Sequence, residues 1–272
     1  MLKARVITAL VLLAVLLPVL YSNSFVAFIL LVTIFFAAAC WENFRLFNRR
    51  HPVIGAGIWT FAFIFLAFKG DPGGALWLFG ICIVCWVFFF VPSLARGLPA
   101  QDSLSNRLLG GIYGISILGC FISIVALYQS SPILLLSVMS IVWIADIGAY
   151  FSGKAFGKRK LAPSISPGKS WEGAIGGWFA VMILTIISTQ LPQLSGSFSA
   201  KLHTNFGWIG LVAGMTLLVA ASIVGDLFES SLKRRANMKD SSKLLPGHGG
   251  VLDRIDALIP VLPLATLFSA WL

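Results

Sequence analysis

The sequence predicts an all-α, polytopic membrane protein of about nine transmembrane helices with its N-terminus in the cytoplasm. Three observations carry that prediction. Of 272 residues, 58% are hydrophobic and only 11% charged, whereas a soluble domain carries about 25% charged residues. That is too little polar surface to cover even one soluble domain. The apolar residues also fall into runs of membrane-crossing length, most of them without a polar face. Finally, the basic residues sort to one side of those runs. The same composition excludes a disordered chain, and the lack of a glycine period excludes a collagen-like one. A soluble nucleic-acid binder is excluded too, because such proteins carry their positive charge on a polar background.

The runs occupy approximately 5–21, 25–41, 53–68, 74–92, 108–128, 132–152, 172–191, 207–225 and 254–272. The first follows Lys3 and Arg5 as a secretory signal would. No small-residue cleavage site follows it, and Phe25 opens another span almost at once, so it reads as a retained helix. The third run is short and the seventh is interrupted by glycines. With the N-terminus inside, 18 of the 20 Lys and Arg residues are cytoplasmic, and only Lys69 and Lys201 lie outside. Cys40, Cys82, Cys85 and Cys120 all sit within apolar runs. The Cys82–Cys85 spacing has no second pair and no nearby His, so buried thiols account for it better than a zinc or redox site.

The carboxylates follow the basic residues, although topology does not require it. Only Asp71 falls in an outer loop. Asp146 lies within span six, where a charge costs a few kcal/mol at mid-depth and less near the ends. Any chemistry therefore belongs on the cytoplasmic face, near loops 153–171 and 226–253. Residues 1–130 read as a scaffold or lipid-access region, and 131–272 as the catalytic region.

The densest constellation is GDLFESSLKRRANMKDSSKLLPGHGGVLDRID, residues 225–256. Asp226 and Glu229 are three apart and share a helix face, with Ser230 and Lys233 one and two turns on. Asp253 and Asp256 repeat that spacing where the chain re-enters the membrane. Two carboxylate pairs with cations between them suit a divalent metal holding phosphates. The break at Pro246-Gly247-His248-Gly249-Gly250 is expected to aim backbone N–H groups at an anion. A loop gripping anionic headgroups would explain Lys233, Arg234 and Arg235, but not four carboxylates at the membrane boundary. His248 alone is weak as a metal ligand, since no His or Cys neighbours it.

The second constellation runs from Asp146 to Gly177 and includes Gly168-Lys169-Ser170 in a polar loop, with Glu172 opening span seven. Gly168-Lys169-Ser170 imitates the end of a P-loop, but Pro163 stands where the first glycine belongs, so that reading is rejected. Gly173 and Gly177 read as helix-packing residues. Asp146 has a competing structural reading as the partner of a loop lysine.

The stretch SSLKRRANMKDSSKLLPGHGGVLDRID resembles the signature of the phosphatidate cytidylyltransferases, also called CDP-diacylglycerol synthases. Ser230, Leu232, Lys233, Arg234, Lys239, Asp240, Ser242, Leu245, Pro246, His248, Gly249, Gly250, Asp253, Arg254 and Asp256 fill that pattern without a gap. SPGKSWEG and GDLFES are also similar to family sequence. The resemblance covers 146–177 and 225–256, about a quarter of the chain.

It implies a Mg²⁺-dependent membrane enzyme that joins CTP to phosphatidate, at the cytoplasmic face of a bacterial inner membrane. The roles expected on this basis are Asp226 and Asp253 as metal ligands, with Asp256 and Glu229 supporting or joining them. Lys233, Arg234, Lys239 and Arg254 would contact phosphates. His248, Gly249 and Gly250 would shape a phosphate turn, and Lys169, Ser170 and Asp146 would close the site from the other loop. Glycine-rich packing faces and family habit point to a homodimer. Two other readings compete: a cytidylyltransferase acting on a prenylated lipid phosphate, and a transporter coupled through Asp146. No inverted repeat supports the latter.

Overall fold

A computed structural model describes residues 24–70 and 72–272, together with residues 8, 10, 11, 14, 15, 18, 19 and 22. Most of the first predicted span lies outside the described residues, as do Lys3, Arg5 and Asp71.

Seven helices among the described residues are long and apolar enough to cross a membrane. Helix α1 (Phe25–Leu46) starts where the Ser24 side chain accepts from the Ala27 N–H. Helix α2 (Pro52–Lys69) opens on a proline, which has no N–H to leave unpaired. Helix α3 (Pro72–Cys85) runs through a π-helical turn, Trp86–Phe90, into α4 (Val91–Arg96), and Gly97 at φ 84° stops it. Helix α5 (Leu104–Ser130) is capped by Ser103, and α6 (Pro132–Phe156) again opens on proline. Helix α7 (Trp171–Gln190) begins at Ser170, whose Oγ accepts from the Gly173 N–H. These caps satisfy N–H groups that the first helical turn leaves unpaired.

Helix α8 (Phe198–Arg235) is 38 residues long and kinks at Gly207, where φ is 64°. The predicted start of span eight is therefore a kink, and the helix also continues well past the predicted inner end, as far as Arg235. The first third of loop 226–253 is thus helical, which fixes the relative positions of Asp226, Glu229, Ser230 and Lys233.

Two expectations are revised. The chain is mostly helical, but loop 153–171 forms an antiparallel hairpin, β1 (Lys160–Ala162) with β2 (Ser166–Ser170). Pro163 and Pro167 exclude helix there and push the residues before them into extended geometry. The ninth predicted span is broken into α9 (Leu252–Ile255) and α10 (Leu258–Ser269). The 12 residues of α10 rise only about 18 Å, short of a hydrocarbon core of roughly 30 Å. Helix α10 packs against α3, α5, α6 and α8, with Ile259, Val261, Leu262 and Ala265 fully buried. An all-round apolar sequence here reflects burial in protein.

Among the described helices, α6 and α7 pack most extensively against each other. A Cβ on Gly177 would lie 2.5 Å from the Ala145 carbonyl oxygen, and one on Gly173 would lie 2.9 Å from that of Ala149. Only glycine permits this approach, as expected for small residues spaced four apart. Gly110 likewise lies against the Phe47 ring and Gly114 against Trp59. Gly110, Gly114, Gly173 and Gly177 thus pack within the chain, whereas Gly111 faces open space. All four cysteines are buried free thiols.

Replacing Gly177 with Val is expected to cost about 1–3 kcal/mol through overpacking of the α6–α7 seam. The check is the thermal unfolding midpoint of the protein in detergent, which should fall.

Candidate active site

The ends of α6, β2, α7, α8 and α9 enclose a cavity of about 670 Å³. The two constellations, far apart in sequence, meet there. Asp146 and the glycine-lined start of α7 form one wall with Lys169 and Ser170, while Asp226, Lys233, Asp253, Arg254 and Asp256 form the other. Asp240 also reaches the cavity. The remaining predicted site residues do not line it. Glu229 is wholly buried behind Lys233, and Lys239 is exposed away from the wall. Arg234 donates from Nε to the Ile165 carbonyl at 3.3 Å and so anchors the hairpin turn to α8.

Lys233 is held between two carboxylates. Its ammonium pairs with Glu229 one turn back on α8 and, at 2.6 Å, with Asp253 Oδ1. Asp253 Oδ2 accepts from the Gly250 N–H at 2.7 Å, the Ser241 N–H at 2.8 Å and the Ser241 hydroxyl at 3.0 Å. Burial by itself would raise the Asp253 pKa. The hydrogen bond from Lys233, the Gly250 N–H, the Lys233 charge and the Ser241 N–H outweigh it and hold the carboxyl below its ordinary value. Asp253 therefore works as an ionised strut between α8 and the preceding loop.

The glycine turn does something other than expected. His248 and Gly249 donate their N–H groups to the Leu245 carbonyl at 2.8 and 3.1 Å. Gly250 donates to Asp253, and the Val251 and Leu252 N–H groups go to Glu42 at 3.0 and 2.7 Å. The anions held by this turn are the protein's own carboxylates. Gly249 sits at φ 86°, and a Cβ there would lie 2.6 Å from Asp253 Oδ2. A Cβ on Gly250 would collide with Ser241 Oγ and the Glu42 carboxylate. In this structure the turn expected to shape a phosphate site holds two of the chain's own carboxylates, those of Asp253 and Glu42. His248 contributes its carbonyl, which accepts from Arg254 Nε at 3.0 Å.

Between the two walls, Lys169 pairs with Asp226 Oδ2, and Ser230 donates to Asp226 Oδ1 at 3.2 Å. Asp256, in the turn between α9 and α10, is pushed up to about 7 by desolvation and then by the charge of Asp226. Among the described residues, no three His, Cys, Asp or Glu converge closely enough to enclose an ion. That donor set still fits Mg²⁺, which usually takes one or two carboxylates and completes its shell with water and substrate phosphates. The Lys169 ammonium on Asp226 marks where a cation is already favoured. Ser170, named as a substrate contact, caps α7 with its Oγ and is largely buried.

Residues 3–272 match the cytidylyltransferase family. The chain belongs to that family. It is 37% identical to the phosphatidate cytidylyltransferase of Haemophilus influenzae and 38% identical to that of Pseudomonas aeruginosa, with 98% or more of each chain covered in both cases. It is also 38% identical to the enzyme of that name from Bacillus subtilis, over 62% of this chain and 60% of the other. The relatives are bacterial, and the seven apolar helices make this cytidylyltransferase-family chain a multi-pass membrane protein.

One residue of the site region was not singled out from sequence. Glu42, on α1, reaches loop 236–251 across some 200 residues of chain. Its signal in the sequence was a carboxylate ending an apolar run, in Trp41-Glu42-Asn43.

Replacing Asp253 with Asn should leave Lys233 facing Glu229 alone and remove the charge that gathers three donors. Breaking a buried pair from one side costs about 3 kcal/mol or more. Limited proteolysis should cut 236–251 faster in the variant than in the parent.

Proposed function

We propose that this chain transfers the cytidylyl group of CTP to phosphatidate, giving CDP-diacylglycerol and pyrophosphate at the cytoplasmic face. The observation that carries the reading is the single cavity where both sequence constellations meet, with carboxylates and cations on facing walls. Its position at the inner ends of the helices lets a lipid headgroup enter from the bilayer and a nucleotide from water. The full-length relatives bearing the name phosphatidate cytidylyltransferase support the same substrates.

The chemistry asks little of acid–base groups. The phosphate of phosphatidate is already an anion, so one of its oxygens can attack the α-phosphorus of CTP directly. The new P–O bond forms as the bond from Pα to the bridging oxygen breaks, and that electron pair leaves on pyrophosphate. The obstacle is repulsion between two polyanions, and positioning with charge neutralisation removes it. Lys169 and Arg254 lie on facing walls, where they would neutralise phosphate oxygens. Lys233, fixed by Glu229 and Asp253, supplies a cation that cannot swing away. Asp226 and Asp256 are the residues that would hold Mg²⁺, with Asp146 across the cavity. Bound there, the ion would neutralise triphosphate oxygens and relieve the repulsion between those carboxylates. A homodimer remains part of the proposal on family habit alone.

Purified protein given labelled CTP, phosphatidate and Mg²⁺ should yield lipid-linked cytidine and an equal amount of pyrophosphate. No lipid-linked product would overturn the assignment. Chelating the metal should stop turnover reversibly. Asp226→Asn should reduce kcat by at least about 100-fold with the unfolding midpoint retained. Near-parent turnover in that variant would remove Asp226 from the metal site.

A further inference from the structure

The Glu42 carboxylate is wholly buried, lies on a membrane helix of the N-terminal half, and does not line the cavity. Both of its oxygens are fully used. Oε1 accepts from the Ser242 hydroxyl at 2.5 Å and the Val251 N–H at 3.0 Å. Oε2 accepts from the Leu252 N–H at 2.7 Å and the Ser241 hydroxyl at 3.2 Å. These four donors come from the two ends of the loop that carries Lys239 to Gly250. Two of them are the N–H groups that immediately precede Asp253. Ser241 is shared, since its hydroxyl also lies 3.0 Å from Asp253 Oδ2. Gly250 has no side chain at the point where one would strike Glu42 and Ser241.

A buried carboxylate is expensive to desolvate, and a neutral side chain could fill the same volume at less cost. A tether for the loop alone would not need an anion. The use of a charge is explained by its geometry: an ionised carboxylate accepts at two oxygens and offers no donor. Three donors, two of them backbone, and a share of the single Ser241 hydroxyl proton converge there and need that acceptor.

We infer that Glu42 is a positioning residue for the reaction: it fixes the start of α9 and thereby sets where Asp253 holds Lys233 and where Asp256 faces Asp226. This rests on the cytidylyltransferase reading above. Substitution by Gln keeps the shape but turns one acceptor into a donor facing a backbone N–H. The start of α9 must then move, and a shift of about 1 Å in a positioned group can cost 100-fold in rate.

The test measures Glu42→Gln, Glu42→Asp and Ser242→Ala as purified full-length proteins, with CTP, phosphatidate and Mg²⁺. Glu42→Gln should lower kcat by about 10- to 100-fold per folded molecule, with both KM values within about threefold. Glu42→Asp should recover part of that loss, and Ser242→Ala should lose several-fold in kcat. Hydrogen exchange at the Val251 and Leu252 amides should speed up in Glu42→Gln without a matching change in the other helices. A kcat within about twofold of the parent in both Glu42→Gln and Ser242→Ala would overturn the inference, as would a loss that only follows the folded fraction. If Glu42→Gln does not fold, Ser242→Ala decides by the same criterion. A parent protein inert toward phosphatidate would overturn the proposed function instead. In that case unchanged exchange at Val251 and Leu252 would sink the positioning role, and faster exchange would sustain it.

Discussion

The contact between Lys233 and Asp253 joins the end of the longest described helix to the short helix α9 that precedes the buried one, and the polar half of the molecule is arranged around it. Helix α8 brings Lys233, α9 brings Asp253, and Glu229 supplies the second carboxylate. Two acids around one base is an unfavourable composition for a desolvated place unless further donors satisfy the spare oxygens. Gly250 and Ser241 supply them to Asp253. The loop between the two helices is therefore defined by what its backbone must donate to, and its glycines stand where those acceptors need room.

The opposite wall has a different logic. There the seam between α6 and α7 is close enough that carbonyls of one helix nearly touch glycine Cα atoms of the other. Without side chains between them, the two helices act as one rigid plate. Asp146 projects from that plate, and the hairpin extends it beyond the helix ends. Glu172 accepts from the Lys158 and Arg159 N–H groups at 3.1 and 3.2 Å, tying the hairpin base to the start of α7. The cavity thus has one wall built on packed glycines and the other on buried charges, with the hairpin and loop 236–251 completing its rim.

Much of this was legible in the residues. Helical spans announce themselves by composition, and the spacing of Asp226, Glu229, Ser230 and Lys233 placed them on one turn-by-turn face because helix geometry is local. The meeting of the two constellations followed from both lying at inner ends. Three things were not legible. Glu42 is remote from every partner, so no spacing connects it to Ser242 or Leu252. The glycine turn revealed missing side chains but could not say what fills the space, and the occupants proved to be carboxylates of the same chain. Helix α10 has the composition of a span, because an apolar segment wrapped by protein and one wrapped by lipid select the same residues.

That last ambiguity bears on how the molecule is put together. Helix α10 is buried almost all round in a slot formed by α3, α5, α6 and α8. Asp253 and Asp256 arrive with it. Without α10 seated in that slot, Asp226 and Lys169 would lack the second pair of carboxylates in the cavity. The polar site therefore depends on a helix whose own contacts are apolar, so loosening the buried interior would separate the two halves of the charged constellation.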